Sequence, residues 1–226
     1  MARPHLTRRR FLALLAGVIE ALRVGGAQVL AGPATFELIC REAWGARKPT
    51  GGFKRHTIKR ITVHHSASKL TDNRDAPDHF RSHQRAHQAR GWPDIAYHLL
   101  IDRRGNVYEG RSIRAVGDTA TNYDPRGHLL VMCEGHFGEQ RPSAAQVDAL
   151  VDVLAWAVDR YEVPVGTIRG HLDYASTACP GRALYRRLRE VRGLVRDRLG
   201  SGGVSLVELC GEAGRDRVAD IEAGRA

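Results

Sequence analysis

Residues 57–66 read Thr-Ile-Lys-Arg-Ile-Thr-Val-His-His-Ser, and the folded core of the chain begins here. The β-branched residues in this stretch predict a strand. Because side chains alternate between the two faces of a strand, Val63 and His65 lie on one face and His64 and Ser66 on the other. Only one of the two histidines can therefore face a given metal ion.

Regular elements follow this strand along the chain. Asp75-Ala76-Pro77 starts a helix and Gly91 ends it. Further on, a Gly-Asn turn between two apolar runs predicts a β-hairpin, a wholly apolar run predicts a central strand, and Ser143-Ala144-Ala145-Gln146 forms a capping box. The predicted elements are a helix over 77–90, a hairpin within 95–111, a strand over 129–134, a helix over 144–161, a short strand over 165–170 and a helix over 182–199.

The two ends of the chain read differently from its middle. Thr7-Arg8-Arg9-Arg10-Phe11-Leu12, with the apolar residues that follow, resembles a twin-arginine export signal, although a merely basic and frayed N-terminus stays open. Glu20 and Arg23 interrupt the apolar run, so it is too short for a stable membrane anchor. We therefore expect a signal over 1–31, one domain over 32–200, and a tail over 201–226 with at most a short helix. The segment between the signal and Cys40 reads as a loop.

The composition limits the partners of this chain. Its 226 residues are 42% hydrophobic, enough for one compact domain, and it carries a formal net charge of +10. A basic protein attracts polyanions such as nucleic acid, anionic lipid or an acidic cell-wall polymer. No RNA-binding aromatic signature accompanies the arginines, so we expect no nucleic-acid partner.

The four cysteines divide between two roles. Cys40 and Cys210 flank the domain, and in an oxidising compartment they could pair and hold the C-terminal tail. Cys133 lies in an apolar run and reads as a buried free thiol. Cys179 belongs to a second group of residues with metal-binding character.

That group lies in the run Gly-His-Leu-Asp-Tyr-Ala-Ser-Thr-Ala-Cys-Pro-Gly at 170–181. A loop can fold back and place His171 and Cys179 beside a histidine of the strand, which gives two imidazoles and one thiolate. Structural zinc usually has four protein ligands, whereas hydrolytic zinc has three and leaves the fourth place to water. Asp173 is a fourth ligand in principle, but its position favours a role in orienting the loop. The ligand types favour zinc over magnesium or calcium.

His79, His83 and His87 form a rival cluster along the predicted helix. Their spacing puts them on one face, but they span about 12 Å at 1.5 Å per residue, too far for one ion to contact all three. A pair could bind a metal adventitiously. We expect a solvated polar face, with His87 packing against its neighbours.

Five motifs occur in order over about residues 41–192. They are Arg41-Glu42-Ala43-Trp44-Gly45-Ala46, Val63-His64-His65-Ser66, Gly91-Trp92 with Asp94-Ile95 and Tyr97-His98, Ile101-Asp102 through Gly110-Arg111, and His171 through Cys179-Pro180-Gly181. Together they resemble the N-acetylmuramoyl-L-alanine amidase type 2 family, which includes the peptidoglycan recognition proteins and T7-type phage amidases.

The resemblance implies an α/β fold, with a mixed central β-sheet flanked by helices on both sides and a groove floored by zinc. It assigns His64, His171 and Cys179 as the zinc ligands and Tyr97 as the catalytic tyrosine. Thr177 matches a position that is threonine in the amidase-active recognition proteins and lysine in some other relatives.

The residue types agree with amide hydrolysis. Zinc lowers the pKa of a bound water and polarises a carbonyl group. Tyr97 can donate a hydrogen bond to the developing oxyanion, and Thr177 can orient water or substrate. Cys179 reads as a zinc thiolate rather than as a nucleophile.

The resemblance leaves the substrate preference open. Asp118 stands where many relatives have a histidine, and His136 stands where they tend to have an asparagine. Both could border the groove. Candidate substrate-binding residues are Trp92, Asp94, Arg111 and Asn122, each of which is equally compatible with a role in the scaffold.

Three hypotheses for function follow. The first is an exported monomeric zinc amidase, in the periplasm, the extracellular space or the cell wall, that cleaves the bond between N-acetylmuramic acid and L-alanine in peptidoglycan. The second is a recognition protein that binds peptidoglycan without cutting it, and the presence of Cys179 disfavours it. The third, a structural zinc module or a basic nucleic-acid binder, would need a fourth ligand or a clustered basic surface.

Overall fold

A seven-stranded sheet runs through the protein, with its strands in the order β6-β2-β5-β3-β4-β1-β7. The computed structural model describes residues 33–226, and the predicted export signal lies outside them. The strands are β1 (Ala34–Ile39), β2 (Arg60–His65), β3 (Leu99–Ile101), β4 (Val107–Glu109), β5 (His128–Cys133), β6 (Ile168–Gly170) and β7 (Val204–Leu209).

The strand that carries the two adjacent histidines lies inside the sheet. β2 pairs in parallel with β5 on one side and with β6 on the other. His64 is opposite Met132 in this register, and β6 leads directly into His171. Two predicted metal ligands therefore meet at the carboxyl ends of neighbouring parallel strands.

Four helices cover the two faces of this sheet. They are α1 (Ala76–Ala89), α2 (Ala144–Arg160), α3 (Arg182–Gly200) and α4 (Gly211–Glu222). Apolar residues of α2 and α3 form one core with Val63 and Val131, and those of α1 and α4 form a second core with Met132. The predicted mixed sheet with helices on both sides is thus confirmed.

The sequence predictions for the middle of the chain are confirmed within a few residues. α1, α2 and α3 occupy the predicted helical ranges, and β3 pairs antiparallel with β4 as a hairpin. β5 is the predicted central strand, and all six of its residues are buried. The predicted strand over 165–170 is a 3₁₀ turn followed by β6. Among the described residues, no helix combines the length and apolar character needed to cross a membrane.

Two strands at one edge of the sheet were not predicted. Residues before Cys40 were expected to be a loop, but Ala34–Ile39 is β1, and residues beyond 200 include β7 as well as α4. β1 and β7 pair in parallel along six residues each. Two parallel strands so far apart in sequence are not joined by a tight turn, so no local motif predicts them. Only the pairing between the two segments distinguishes them from loops.

The pairing of β1 with β7 explains the disulfide between Cys40 and Cys210, which the sequence left open. Cys40 and Cys210 directly follow the last paired residues, Ile39 and Leu209. They form a disulfide with a Cα–Cα distance of 4.9 Å. Cys133 is a buried free thiol, as predicted.

Candidate metal centre and its surroundings

His64 projects from β2 into a cluster of aromatic and sulfur-containing side chains. It is 2% exposed, and its Nδ1 lies 3.6 Å from Cys179 Sγ. Its ring centroid is 4.6 Å from that of His171 and 5.2 Å from that of Tyr97. The neighbouring His65 points to the opposite side, where its Nδ1 accepts a hydrogen bond from the Phe137 amide. Strand alternation therefore separates the two histidines as predicted.

His171 enters the cluster from the turn that follows β6. It is 7% exposed and begins the 3₁₀ helix His171–Asp173. Its Nε2 lies 2.8 Å from the Thr121 hydroxyl oxygen. A hydrogen bond at Nε2 fixes the ring orientation and leaves Nδ1 available as a ligand atom, which is the usual arrangement for a metal-binding histidine.

The loop between His171 and Cys179 is folded back on itself. The Leu172 amide donates to the Cys179 carbonyl at 2.8 Å. Asp173 accepts hydrogen bonds from the Gly170 amide at 2.9 Å and from the Tyr185 hydroxyl at 2.6 Å. The Asp173 carboxylate thus orients the loop, as expected, and brings Cys179 to His64.

The three predicted ligands fit a zinc ion in both placement and chemistry. One ligand atom from each of His64, His171 and Cys179 lies within 4.8 Å of the others. His64 Nε2 is buried and has no hydrogen-bond partner in the protein. Two imidazoles and one thiolate are typical ligands of zinc.

Burial shifts the pKa values of two of the candidate ligands in opposite directions. Burial, together with the nearby His171, holds the pKa of His64 well below its usual range, so the ring is neutral and able to bind a cation. Burial raises the pKa of the Cys179 thiol to about 12. A cysteine that acts as a nucleophile has a lowered pKa instead. The direction of this shift therefore disfavours covalent catalysis by Cys179.

Tyr97 and Thr177 lie beside the candidate ligands. Burial raises the pKa of Tyr97 far above its usual value, so the phenol keeps its proton and can donate a hydrogen bond. The Thr177 hydroxyl accepts a hydrogen bond from the Cys179 amide at 3.2 Å. Thr177 therefore contacts the ligand loop directly, and Tyr97 contacts the ring of His64.

The four candidate substrate residues separate into two pairs. Asp94 is 2% exposed, and its carboxylate is occupied by Arg41, Gln84 and the Ile95 amide. Arg111 is 3% exposed and donates to backbone carbonyl groups and to Asp118. These contacts favour the scaffold role for both residues.

Trp92 and Asn122 remain accessible. Trp92 is half-buried, with its ring centroid 4.8 Å from that of His87. Asn122 is exposed, one residue after Thr121. His87 accepts a hydrogen bond from the Ala96 amide and contacts the Tyr97 ring, so its predicted packing role is confirmed.

The two departures from the family pattern occupy different surroundings. Asp118 forms an ion pair with Arg111. The ring of His136 lies 5.7 Å from that of His65, on the side of β2 away from His64.

One expectation about the helical histidines is wrong. His79 and His83 were expected to lie on a solvated face, but each forms a 3.0 Å contact with the buried carboxylate of Glu134. Glu134 directly follows β5, on the sheet face that α1 covers. Sequence spacing along α1 could not reveal a partner more than fifty residues away.

Three further residues of the centre were not predicted from the sequence. Thr121 contacts His171, and Tyr123 packs its ring 5.0 Å from that of His171 while its hydroxyl is buried without a partner in the protein. His128 lies 2.7 Å from the Thr62 hydroxyl and packs against Tyr123. The contacts of loop 119–126 with His171 reveal the roles of Thr121 and Tyr123, and no motif in that loop predicts them.

Known proteins share both the sequence pattern and the fold. The sequence pattern of the N-acetylmuramoyl-L-alanine amidase family matches residues 54–182. Peptidoglycan-recognition protein SC2 of Drosophila melanogaster is 30% identical over 156 residues, which cover 67% of this chain and 84% of that protein. The N-acetylmuramoyl-L-alanine amidase of Sus scrofa is 32% identical over 158 residues, which cover 66% of this chain and 26% of that protein.

A solved structure extends the comparison to the whole fold. Peptidoglycan recognition protein LE, in complex with tracheal cytotoxin, a monomeric diaminopimelic acid-type peptidoglycan, matches with a TM-score of 0.62 and 29% identity. The match covers 68% of this chain and 92% of that one. Because the family pattern spans more than half of the sequence and the relatives share its fold, this chain belongs to the N-acetylmuramoyl-L-alanine amidase type 2 family, which contains both amidases and peptidoglycan recognition proteins.

Proposed function

We propose that this chain is a zinc-dependent N-acetylmuramoyl-L-alanine amidase that hydrolyses the amide bond between N-acetylmuramic acid and L-alanine in peptidoglycan. The observation that carries the proposal is the convergence of His64, His171 and Cys179 within 4.8 Å. Three protein ligands leave a coordination position for the reaction, whereas a structural zinc site usually uses four. The relatives named as amidases and peptidoglycan recognition proteins supply the substrate class.

Each residue of the centre has a defined part in this reaction. His64, His171 and Cys179 hold the ion, which when bound supplies Lewis acidity toward the amide carbonyl and toward water. Tyr97 keeps its phenolic proton and donates a hydrogen bond to the oxyanion that develops on the carbonyl oxygen. Thr177 holds the Cys179 loop and orients water or substrate.

Two accessible side chains are candidates for contact with the substrate. Trp92 offers an apolar ring, and the exposed Asn122 offers an amide. The basic character of the chain favours approach to an acidic wall polymer. We propose that the protein acts as a monomer after export, in the periplasm or at the cell wall, and that residues 1–31 carry the export signal.

Digestion of purified peptidoglycan tests the proposal. The protein should release stem peptides with new L-alanine amino groups, detected by mass spectrometry, and removal of zinc with a chelator should abolish the release. Cys179→Ser should lose activity together with the zinc that is bound at this centre. Cys133→Ala removes the other free thiol, which is no ligand in this arrangement, and should keep both.

The same digest separates the amidase from its rival within the family. Binding to peptidoglycan without new amino groups, in a protein that carries stoichiometric zinc, would instead establish a recognition protein. Cleavage that persists in Cys179→Ser or after zinc removal would contradict the metal centre. The masses of the products also show whether intact, anhydro or modified muropeptides are accepted.

A further inference from the structure

A second group of potential ligands lies on the helix that covers the sheet. His79 and His83 are four residues apart on α1, so their side chains share one face. His79 Nδ1 lies 3.0 Å from Glu134 Oε1, and His83 Nε2 lies 3.0 Å from Glu134 Oε2. One ligand atom from each residue lies within 4.8 Å of the others.

Glu134 is an unusual residue for the interior. Its side chain is fully buried, and among the ion pairs of residues 33–226 its partners are these two histidines and no arginine or lysine. Removing a carboxylate from water is unfavourable unless a cation or several hydrogen bonds compensate. The two imidazoles supply hydrogen bonds, but a full positive charge is present only when one of them is protonated or when a cation joins the group.

The ligand types suit one class of cation. Two histidines at i and i+4 on a helix, completed by a carboxylate from another element, form a recurrent zinc-binding arrangement in proteins. Ligand atoms in such a site lie about 2.0–2.2 Å from the metal, so small side-chain rotations would bring the present atoms to an ion between them. Imidazole ligands exclude a preference for calcium or magnesium.

We infer that His79, His83 and Glu134 form a second divalent-metal site, of the zinc class, separate from the centre at His64. The helix supplies two ligands and the end of β5 supplies the third, so an ion there joins α1 to the central strand of the sheet. His87 lies one turn further along α1 and contacts Tyr97. The second ion would thereby hold the helix that supports Tyr97, and it requires no amidase activity.

The test measures the number of zinc ions bound per chain. The protein is first stripped of metal, then reloaded with zinc and dialysed against a weak competing chelator. The wild-type chain should retain twice the zinc of the double variant His79→Gln/His83→Gln, in which glutamine keeps the helix propensity. Cys179→Ala should also retain half of the wild-type zinc, and its combination with the double variant should retain none. Glu134→Gln, made alone, should match the double variant.

Two controls make the result decisive. His136→Gln removes a half-buried imidazole that belongs to neither group and should leave the zinc content unchanged. In the Cys179→Ala chain, added zinc should still raise the melting temperature, because an ion that binds only the folded state stabilises it. That rise should vanish when His79→Gln/His83→Gln is added.

Equal zinc in the wild type and the double variant would overturn the inference. A zinc-induced rise in melting temperature that survives in the Cys179→Ala/His79→Gln/His83→Gln chain would overturn it as well, since the stabilising ion would then lie elsewhere. In either case the group would be a hydrogen-bonded cluster of Glu134 with the two imidazoles, without a bound metal. Because the Cys179→Ala measurements need no substrate, they distinguish failure of this site from failure of the amidase proposal.

Discussion

The hydroxyl of Thr121 lies 2.8 Å from His171 Nε2, and this contact decides which ring nitrogen of His171 is available to a metal. Thr121→Val keeps the shape of the side chain and removes the hydrogen bond. We expect zinc affinity to fall by about 10–100-fold, the usual effect of losing a hydrogen bond behind a ligand. Competition with a chromophoric chelator measures it.

A matched substitution controls for packing at this position. Thr121→Ser keeps the hydroxyl and loses only a methyl group, so its zinc affinity should stay close to that of the wild type. An equal loss of affinity in both variants would show that the exact packing of the threonine side chain, and not the hydrogen bond alone, controls zinc binding.

Tyr97 is the residue whose role depends most on its protonation state. Because burial keeps its phenol protonated, Tyr97→Phe removes a hydrogen-bond donor and little else. We expect kcat for peptidoglycan hydrolysis to fall by about 10²–10³-fold, with zinc content unchanged, as when one donor to an oxyanion is lost. An unaltered kcat would remove Tyr97 from the mechanism.

Individual residues differ in how far the sequence reveals them. His64, His171 and Cys179 are recognisable because metal ligands belong to few residue types and the motifs around them are specific. Thr121 and Glu134 are not, because their roles arise from contacts with residues fifty or more positions away, and threonine and glutamate are common residues. The sequence predicts ligands better than it predicts the groups that hold them.

Among the elements, the start of α3 is tightly coupled to the candidate centre. Gly181 joins the Cys179 loop to α3 with φ of 84°, and a Cβ there would lie 2.6 Å from the Phe137 carbonyl carbon. Gly181→Ala should lower the free energy of unfolding by about 1–3 kcal/mol, the cost of a strained backbone conformation. Thermal and urea unfolding would measure it.

Another glycine of the same helix provides the comparison. Gly193 lies within α3, and a Cβ there would meet nothing within 4 Å. Gly193→Ala should stabilise the protein by up to about 1 kcal/mol, because alanine has the higher helix propensity. If both substitutions shifted stability in the same direction, the conformation at Gly181 would not be the cause.

Local sequence motifs predict some of the helices and strands but not others. Apolar periodicity marks α2 and α3, Pro77 lies in the first turn of α1, Ser143 caps α2, and the hairpin carries its Gly-Asn turn, so each is visible locally. β1 and β7 carry exposed residues and no strict alternation, and β7, the edge strand, pairs with β1 from the opposite end of the described chain. Nothing local distinguishes such strands from loops.

At the scale of the whole molecule, the disulfide joins the two ends of the described chain. Cys40 and Cys210 are 170 residues apart in sequence and close the ladder between β1 and β7. α4, which follows at once, contributes Val218 and Ile221 to the core beneath α1. The disulfide therefore holds a segment that completes the packing around α1 and contains none of His64, His171 and Cys179.

Removal of this disulfide should change stability without changing the metal centre. For Cys40→Ser/Cys210→Ser we expect a loss of about 2–4 kcal/mol in the free energy of unfolding, because the unfolded chain regains the entropy that a long closed loop removes. Zinc content and kcat at low temperature should stay at wild-type levels, since no ligand lies in β1, β7 or α4.

Urea unfolding under oxidising and under reducing conditions provides the control. The double variant should have the same free energy of unfolding in both conditions. The wild type should fall to the stability of the variant only under reducing conditions. A double variant as stable as the oxidised wild type would mean that strand pairing and the core contacts of α4 hold the tail unaided.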